Sequence, residues 1–516
     1  MAEASKASEI NISALIEQMQ KPEFYPHPIP EPIQLIQTHV SYVLLAGDYA
    51  YKLKKAVNFG FLDFSSLEKR KHFCEAEISM NRAIAPELYL EVVPILEIEP
   101  GKFNLVGEGK TVEYAVKMRQ FPQENLFSEL FAAGKLTEKN IAELGNTVAE
   151  FHAQAISNDR ITSFGEIEMI RAAFDENYQQ TEKYIGIAQT KEQFAATKKY
   201  SNDFFAEKKE LFKQRRDNNK IKECHGDLHL RNICLWQNKI QLFDRIEFNE
   251  PFRFVDVIYD VAFAVMDLDA RGRSDFGNIF LNTYIEQTGD WEGLQVLPLY
   301  LSRQAYVRAK VTSFLLDDPN IPPEVKADSK KTAADYYRLA WEYTQSKQGK
   351  LFLMSGISGS GKTTVARELA KKIGAIQIRS DAVRKHLAGI GLEEKGGEDL
   401  YTPEMNQKTY DRLLELGIIL TAIGFPVILD AKYDLISLRE NAKVLAESNN
   451  IPLQILHCSA PIDILKERLS ERSDISDATP DLIAKQQAAT EPFTPKEQKY
   501  VIEIDTSNLD WKSQLP

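Results

Sequence analysis

The sequence predicts an α+β domain over the first two thirds of the chain and, after it, an α/β domain built on a parallel sheet. Three observations predict this. Residues 225–249, HGDLHLRNICLWQNKIQLFDRIEFN, hold two short apolar runs, Ile233–Trp236 and 240–243, around Gln237-Asn238-Lys239, the pattern of a β-hairpin. Residues 351–355 are a short apolar strand that runs into Gly356-Ile357-Ser358-Gly359-Ser360-Gly361-Lys362-Thr363-Thr364 and then into a helix. At 516 residues the chain has room for two or three domains.

The hairpin is bordered by polar groups: Asp227, His229 and Asn232 before it, Asp244 after it. Asp227 and Asn232 stand at the D-x-x-x-x-N spacing of a kinase catalytic loop. An aspartate there can accept a hydroxyl proton, and Asn232 and Asp244 offer hard oxygen ligands for Mg²⁺. His225-Gly226-Asp227, Asn232 and Leu242-Phe243-Asp244 together resemble the core of the aminoglycoside phosphotransferase family, which has the protein-kinase fold with HGD in place of HRD. The resemblance implies a bilobal kinase-like domain over residues 1–345, with an N-lobe at about 30–122 and a C-lobe at about 123–345. Phe243-Asp244-Arg245 departs from the DFG of protein kinases. Ile246-Glu247-Phe248-Asn249 resembles a bacterial subgroup of phosphotransferases fused to a P-loop domain.

In chain order, residues 12–19 read as a short helix, and the prolines from Pro22 to Pro32 form an arm against the domain that follows. Residues 38–45 alternate and are β-branched, Gly47-Asp48 turns the chain, and residues 49–57 form a second strand. Lys52 and Lys54 share one face of it. By the resemblance, Lys52 holds the ATP phosphates, with Lys54 in reserve. Ser66 caps a helix over 66–83, where Glu77 is the favoured partner for the lysine over Glu75. Strands follow at 89–95 and 111–118, then a hinge at Arg119–Pro122. Residues 136–155 form an amphipathic helix with Ile141, Leu144, Val148 and Phe151 inward. Residues 166–215 read as charged helices in the place where the family binds its acceptor. Asp256 and Asp260 read as scaffold bracing the catalytic loop from behind.

The last domain, residues 349–516, opens on a complete G-x-x-x-x-G-K-T phosphate loop. Its glycines (Gly356, Gly359, Gly361) let backbone N–H groups close around phosphate oxygens, with Ser358, Ser360 and Thr364 in the same cradle. Lys362 reaches the β/γ-phosphates and Thr363 the Mg²⁺. Arg379-Ser380-Asp381, then Arg384, resembles small P-loop kinases of the polynucleotide-kinase, zeta-toxin and gluconate-kinase type. By that resemblance Asp381 takes the acceptor proton and Arg384 binds the acceptor. Asp430 ends a buried strand in a Walker-B-like position for Mg²⁺. Lys432 stands where such kinases often have threonine. Arg468 and Arg472 are four apart on one helix face; the resemblance to small kinases implies that they form a lid over the phosphates and stabilise transition-state charge.

Composition narrows the class. Net charge is −12, which disfavours broad nucleic-acid binding; the resemblances imply a small hydroxyl-bearing molecule, sugar or aminoglycoside-like, as the partner. No apolar run approaches ~20 residues, so no membrane span is expected. Cys74, Cys224, Cys234 and Cys458 form no metal or disulfide pattern, which fits a cytoplasmic protein. The sequence therefore predicts a bifunctional ATP- and Mg²⁺-dependent kinase. Its alternatives are a 5′-hydroxyl kinase in the last domain and an ATP-driven switch on a pseudokinase.

Overall fold

The computed structural model describes residues 11–30, 32–60, 62–471 and 482–516. By its contacts the chain forms two compact units. The first comprises the residues up to Leu136, Ala155–Glu166 and Arg216–Asp260; the second comprises Thr137–Gln154, Ile167–Arg215 and Val261–Pro516. The second unit thus groups helices that precede residue 345 with the fold that follows residue 349.

The first unit is organised on an antiparallel sheet. Its strands are β1 (Gln34–Gln37), β2 (Ser41–Ala46), β3 (Tyr49–Lys54), β4 (Tyr89–Glu99), β5 (Lys102–Asn104) and β6 (Lys110–Arg119), in the order β1-β2-β3-β6-β4-β5. The first strand expected from sequence begins later than residue 38. Thr38 Oγ1 takes the N–H of Ser41 at 3.0 Å and Thr38 N–H bonds Ser41 O, so the chain turns here. That turn brings Gln34–Gln37 back onto β2 as an outer strand, hidden in the sequence by Pro30 and Pro32. Gly47 is obligatory in the β2–β3 turn: φ is +63°, and a Cβ there would lie 2.9 Å from Pro28 O. Against one face of the sheet, Leu15, Met19, Phe24 and Tyr25 pack on Leu44, Tyr51 and Leu53. Against the other lies the helix Leu67–Arg82, whose Cys74 and Ile78 meet Leu45, Val116 and Met118. Ser66 caps it, accepting from Lys69 N–H.

Beyond the sheet come β7 (Ile221–Glu223), the hairpin β8 (Ile233–Trp236) and β9 (Lys239–Leu242), and β10 (Phe254–Asp256), which pairs with β7. Gln237 and Asn238 both have positive φ, the sign a two-residue hairpin loop needs to match strand twist. With its antiparallel N-terminal sheet, single helix on that sheet and hairpin-borne catalytic-loop segment, this part has the protein-kinase-like fold.

In the second unit, helices Glu138–Gln154 and Ser274–Thr288 pack closely; a Cβ on Gly145 would lie 2.8 Å from Thr283 Cβ. The sheet is β11 (Lys350–Ser355), β12 (Ile376–Arg379), β13 (Pro426–Asp430), β14 (Leu453–Ser459) and β15 (Val501–Asp505), in the order β12-β13-β11-β14-β15, with neighbouring strands parallel. This is the P-loop architecture, with the phosphate loop at the carboxyl end of the central strand. Phe352, Met354, Leu369, Ile428 and Leu456 form the core beneath it. Among the described residues, no helix is long and apolar enough to cross a membrane.

Candidate active sites

In the first unit, strand alternation puts Lys52 and Lys54 on one face, and both reach Glu77 on the helix opposite. Lys52 Nζ donates to Glu77 Oε1 at 2.8 Å and Lys54 Nζ to Glu77 Oε2 at 2.6 Å. Each lysine has a second acid: Lys52 bonds Asp244 Oδ1 at 2.5 Å, and Lys54 bonds Glu247. Burial pushes the Glu77 carboxyl up, but Lys52 and Lys54 outweigh it and bring it to about 2. Burial would lower the Lys52 ammonium; Asp244 and Glu77 carry it well above the ordinary lysine value. Both partners are therefore charged at neutral pH.

The segment around Asp227 is fixed mostly by backbone. Asp260 accepts the N–H groups of His225 (2.6 Å) and Gly226 (2.8 Å) from behind. Gly226 sits at φ +85°, with Phe252 O 2.7 Å from where a Cβ would be. His225 is fully buried, and burial holds its ring below the usual histidine value. One neutral tautomer serves both its contacts: Nδ1 accepts from Asp227 N–H at 3.3 Å and Nε2 donates to Phe243 O at 2.9 Å. Asn232 Nδ2 donates to Asp227 Oδ2 at 3.1 Å, and Asp227 keeps more than a third of its side chain open to solvent. His229 Nε2 lies 3.4 Å from the same carboxylate oxygen. Asp256 accepts from Ile258 N–H, as a helix-starting group does.

Arg245 and Glu247 carry weight that sequence reasoning missed. Arg245 N–H bonds Asn81 Oδ1, and its guanidinium donates to Met80 O, Glu223 O and Cys224 O. It thereby ties the helix that bears Glu77 to the strand that leads into His225. Asp244, immediately before it, holds φ +63° and has its N–H on the Tyr89 hydroxyl. The signal for Glu247 was available: two inward lysines on one strand call for more than one carboxylate.

In the second unit, Gly356, Gly359 and Gly361 have φ of +130°, +82° and +84°. A Cβ on Gly356 would lie 2.3 Å from Cys458 O, and one on Gly359 would lie 2.8 Å from Leu465 O. The loop is a cradle because nothing larger fits it. Lys362 Nζ donates to Ile357 O at 3.0 Å. Gln486 accepts Ser358 N–H at 2.9 Å and donates to Ser358 Oγ at 3.1 Å, a contact the sequence did not announce. Among the described residues Ser360 Oγ, buried in the loop, has no hydrogen-bond partner.

A cleft of about 1510 Å³ opens from this loop and is lined by Lys362, Thr363, Thr364, Asp381, Arg384, Asp430 and Arg468, among others. Arg384 is buried, 3.3 Å from Asp381 Oδ1, with its second arm on Asn406 and its plane over Tyr401. Asp430 accepts from Gln377 Nε2 at 2.9 Å. Lys432 pairs with Asp434 at 3.1 Å. Arg468 bonds Thr506 through Oγ1 (2.9 Å) and O (2.8 Å), beside the phosphate loop. Arg472 lies outside the described residues. Arg439, nearby in sequence, belongs to the core, paired with Glu497 at 2.7 Å.

Comparison with known proteins adds four findings. A family model described as an AAA domain matches residues 351–493. An uncharacterized protein of Mycobacterium tuberculosis is 30% identical over 465 residues, covering 89% of this chain and 90% of that one. Among solved structures, a choline/ethanolamine kinase family protein from Mesorhizobium loti aligns over 64% of this chain and 99% of its own, with 9% identity and a TM-score of 0.37. The Mycobacterium tuberculosis APS kinase CysC, in complex with AMPPNP and APS, aligns over 33% of this chain and 94% of its own, with 19% identity and a TM-score of 0.25.

Proposed function

The chain belongs to one family with that mycobacterial protein, and from this premise we propose that it is a bifunctional ATP-dependent kinase, phosphorylating hydroxyl groups of small molecules at one site in each unit. One observation carries the reading: each unit holds a lysine, which in this reading meets the phosphates, together with a carboxylate that can take a hydroxyl proton and a further hard acid. These are Lys52, Asp227 and Asp244 in the first, and Lys362, Asp381 and Asp430 in the second. The donors suit Mg²⁺, being oxygens only: Asn232 and Asp244 would hold it in one unit, Thr363 and Asp430 in the other. Bound there, the ion neutralises phosphate charge.

The rest is done by the chain itself. In the first unit Glu77 orients Lys52 towards the phosphates, and Asp260 fixes the backbone that presents Asp227. In the second, loop N–H groups take phosphate oxygens, Arg468 adds positive charge beside them, and Arg384 sits next to Asp381 to orient the acceptor. The boundary at 345/349 separates the two activities in this reading.

The test is incubation with γ-labelled ATP, Mg²⁺ and a fractionated small-metabolite extract, using wild type, Asp227→Ala and Asp381→Ala. A labelled small product lost in one variant assigns that site as a kinase. Loss in both indicates sequential phosphorylation. Label appearing only as inorganic phosphate rejects acceptor transfer and leaves an ATP-driven switch. Arg384 and Lys432 are paired with Asp381 and Asp434, but Arg367 and Lys485 add to the basic lining of the second cleft, which favours an anionic acceptor there. A 5′-hydroxyl oligonucleotide therefore belongs in the same assay as the second reading.

A further inference from the structure

Two rungs join β3 to the segment that follows the β8–β9 hairpin. Lys52 bonds Asp244 Oδ1 at 2.5 Å. Lys54, two residues on and on the same face, bonds Glu247. Glu77 spans both rungs, with one carboxylate oxygen on each lysine. The two outer acids differ in exposure: the Asp244 side chain is 41% exposed and that of Glu247 only 5%. The Phe64 ring, 4.9 Å from Lys54 Nζ, lies beside the second rung. The open acid is the one a metal ion can reach. The closed one is committed to Lys54.

The backbone between the two acids is held at each residue by a different element. Asp244 N–H bonds the Tyr89 hydroxyl at 2.9 Å, and Arg245 N–H bonds Asn81 Oδ1 at 2.9 Å. Ile246 N–H bonds His225 O at 3.2 Å, and Glu247 O accepts from Arg253 Nη1 at 3.2 Å. Asp244 has φ +63°, a left-handed conformation that a residue other than glycine keeps only where its surroundings impose it. Of the two rungs on β3, the chemistry must loosen the first. In the loaded site Lys52 turns to phosphate and Asp244 to the metal, so their mutual bond weakens just when the segment has to stay in place. The Lys54–Glu247 rung takes part in neither step.

We propose that Glu247 is a positioning residue for the first site: its buried pair with Lys54 holds the segment on β3 and so keeps Asp244 in place for the metal when Lys52 lets go. This rests on the reading of Asp244 as a Mg²⁺ ligand. It also gives the second lysine of β3 a task of its own, separate from the phosphates.

The test measures how much the metal adds to nucleotide binding. The parent is the full-length protein carrying Lys362→Ala, in which the second site is disabled. It is titrated with a fluorescent N-methylanthraniloyl derivative of AMPPNP, once in Mg²⁺ and once in EDTA, and the ratio of the two affinities is the metal's share. Glu247→Gln is expected to cut that ratio about tenfold or more, the usual scale for losing a group that orients a metal ligand. The affinity in EDTA should change far less, whereas general damage to the fold would lower both affinities together. Lys54→Met/Glu247→Met removes the charges of the rung together, and with them the cost of an unpaired buried ammonium, but restores no directed bond. Its ratio is expected to stay low. The proposal is overturned if Glu247→Gln keeps the parent ratio or lowers both affinities equally. It is also overturned if the double variant recovers the ratio, since Glu247 would then only neutralise Lys54. Should Glu247→Gln not fold, the double variant decides: a low ratio supports the proposal and the parent ratio overturns it. Asp244→Asn tests the underlying reading. If it too keeps the parent ratio, Asp244 is not the metal ligand, and that reading fails and takes the proposal with it; a ratio lost in Asp244→Asn but kept in Glu247→Gln overturns the proposal alone.

Discussion

Lys52 and Lys54 sit in a closed net of carboxylates in the first unit, whereas Lys362 in the second bonds a backbone carbonyl of its own loop. The backbones differ in the same sense. Around the first site, positive φ falls on Gln237, Asn238 and Asp244 as well as Gly226; in the phosphate loop it falls on glycines alone. The first site is built from side chains that neutralise one another across distant parts of the sequence. The second is built from one contiguous string whose N–H groups do the work. Stability and function are therefore entangled at the lysines of the first site and separable at Lys362 in the second.

The largest effect should come from breaking the net. Glu77→Ala leaves two buried ammonium groups short of a shared carboxylate, and about 3–5 kcal/mol of stability should be lost. Lys362→Ala removes a half-buried side chain and should cost no more than about 0.5 kcal/mol, while abolishing ADP binding at the second site. Urea unfolding and ADP titration of both variants test the contrast. It collapses if the two lose equal stability.

Acid should dissolve the first net by titration. The Glu77 carboxyl is held at about 2 in the folded chain against an ordinary 4.5. A depressed carboxyl stabilises fully above its unfolded value, and that stabilisation drains away as pH falls towards the folded one. The contribution is on the order of 3 kcal/mol. The difference in unfolding free energy between wild type and Glu77→Gln should therefore shrink as pH is lowered from about 6 to about 3. A constant difference would mean that Glu77 acts through packing alone.

In the phosphate loop the corresponding break is steric. Gly359→Ala forces a Cβ to 2.8 Å from Leu465 O at a φ of +82°. About 1–3 kcal/mol should be lost, together with nucleotide affinity. Equal loss of ADP binding without loss of stability would show that the loop tolerates the atom and only the cradle shape suffers.

What the sequence made legible follows the same division. The phosphate loop reads outright because its spacing is local and its strand–loop–helix setting is contiguous. Asp227, Asn232 and Asp244 also lie within one short stretch, so a hairpin suffices to gather them. Glu247 and Arg245 did not read, because their partners lie far back in the chain at Lys54, Asn81 and Met80. The strand Gln34–Gln37 was hidden by flanking prolines, and only the turn at Thr38 reveals it. Asn278, Asn282 and Glu286 look like an ordinary polar helix face until β12 is beside them. The sequence shows a site's local string; of the distant groups that neutralise it, Glu77 came from the family resemblance and Glu247 from neither.

The smallest effect tests whether non-glycine residues at positive φ near the first site are structural choices or functional ones. Gln237 and Asn238 close the β8–β9 loop at φ of 50° and 60°, a conformation that favours Asn-Gly. A left-handed residue other than glycine costs about 1–2 kcal/mol, and asparagine less than glutamine because its short side chain bonds locally. Against this, glycine carries more unfolded-state entropy, which costs about 0.5–1 kcal/mol. Gln237→Asn/Asn238→Gly should thus gain a few tenths of a kcal/mol, up to about 1. Asp244, at φ +63°, differs because its carboxylate bonds Lys52. Asp244→Gly relieves the same backbone strain but removes that acid, so the phosphotransfer proposed for the first site should be lost. The pair of variants, compared by thermal unfolding and product formation, separates the two kinds of left-handed residue. If the loop variant also lost activity, the hairpin turn would be part of the site and not only its frame.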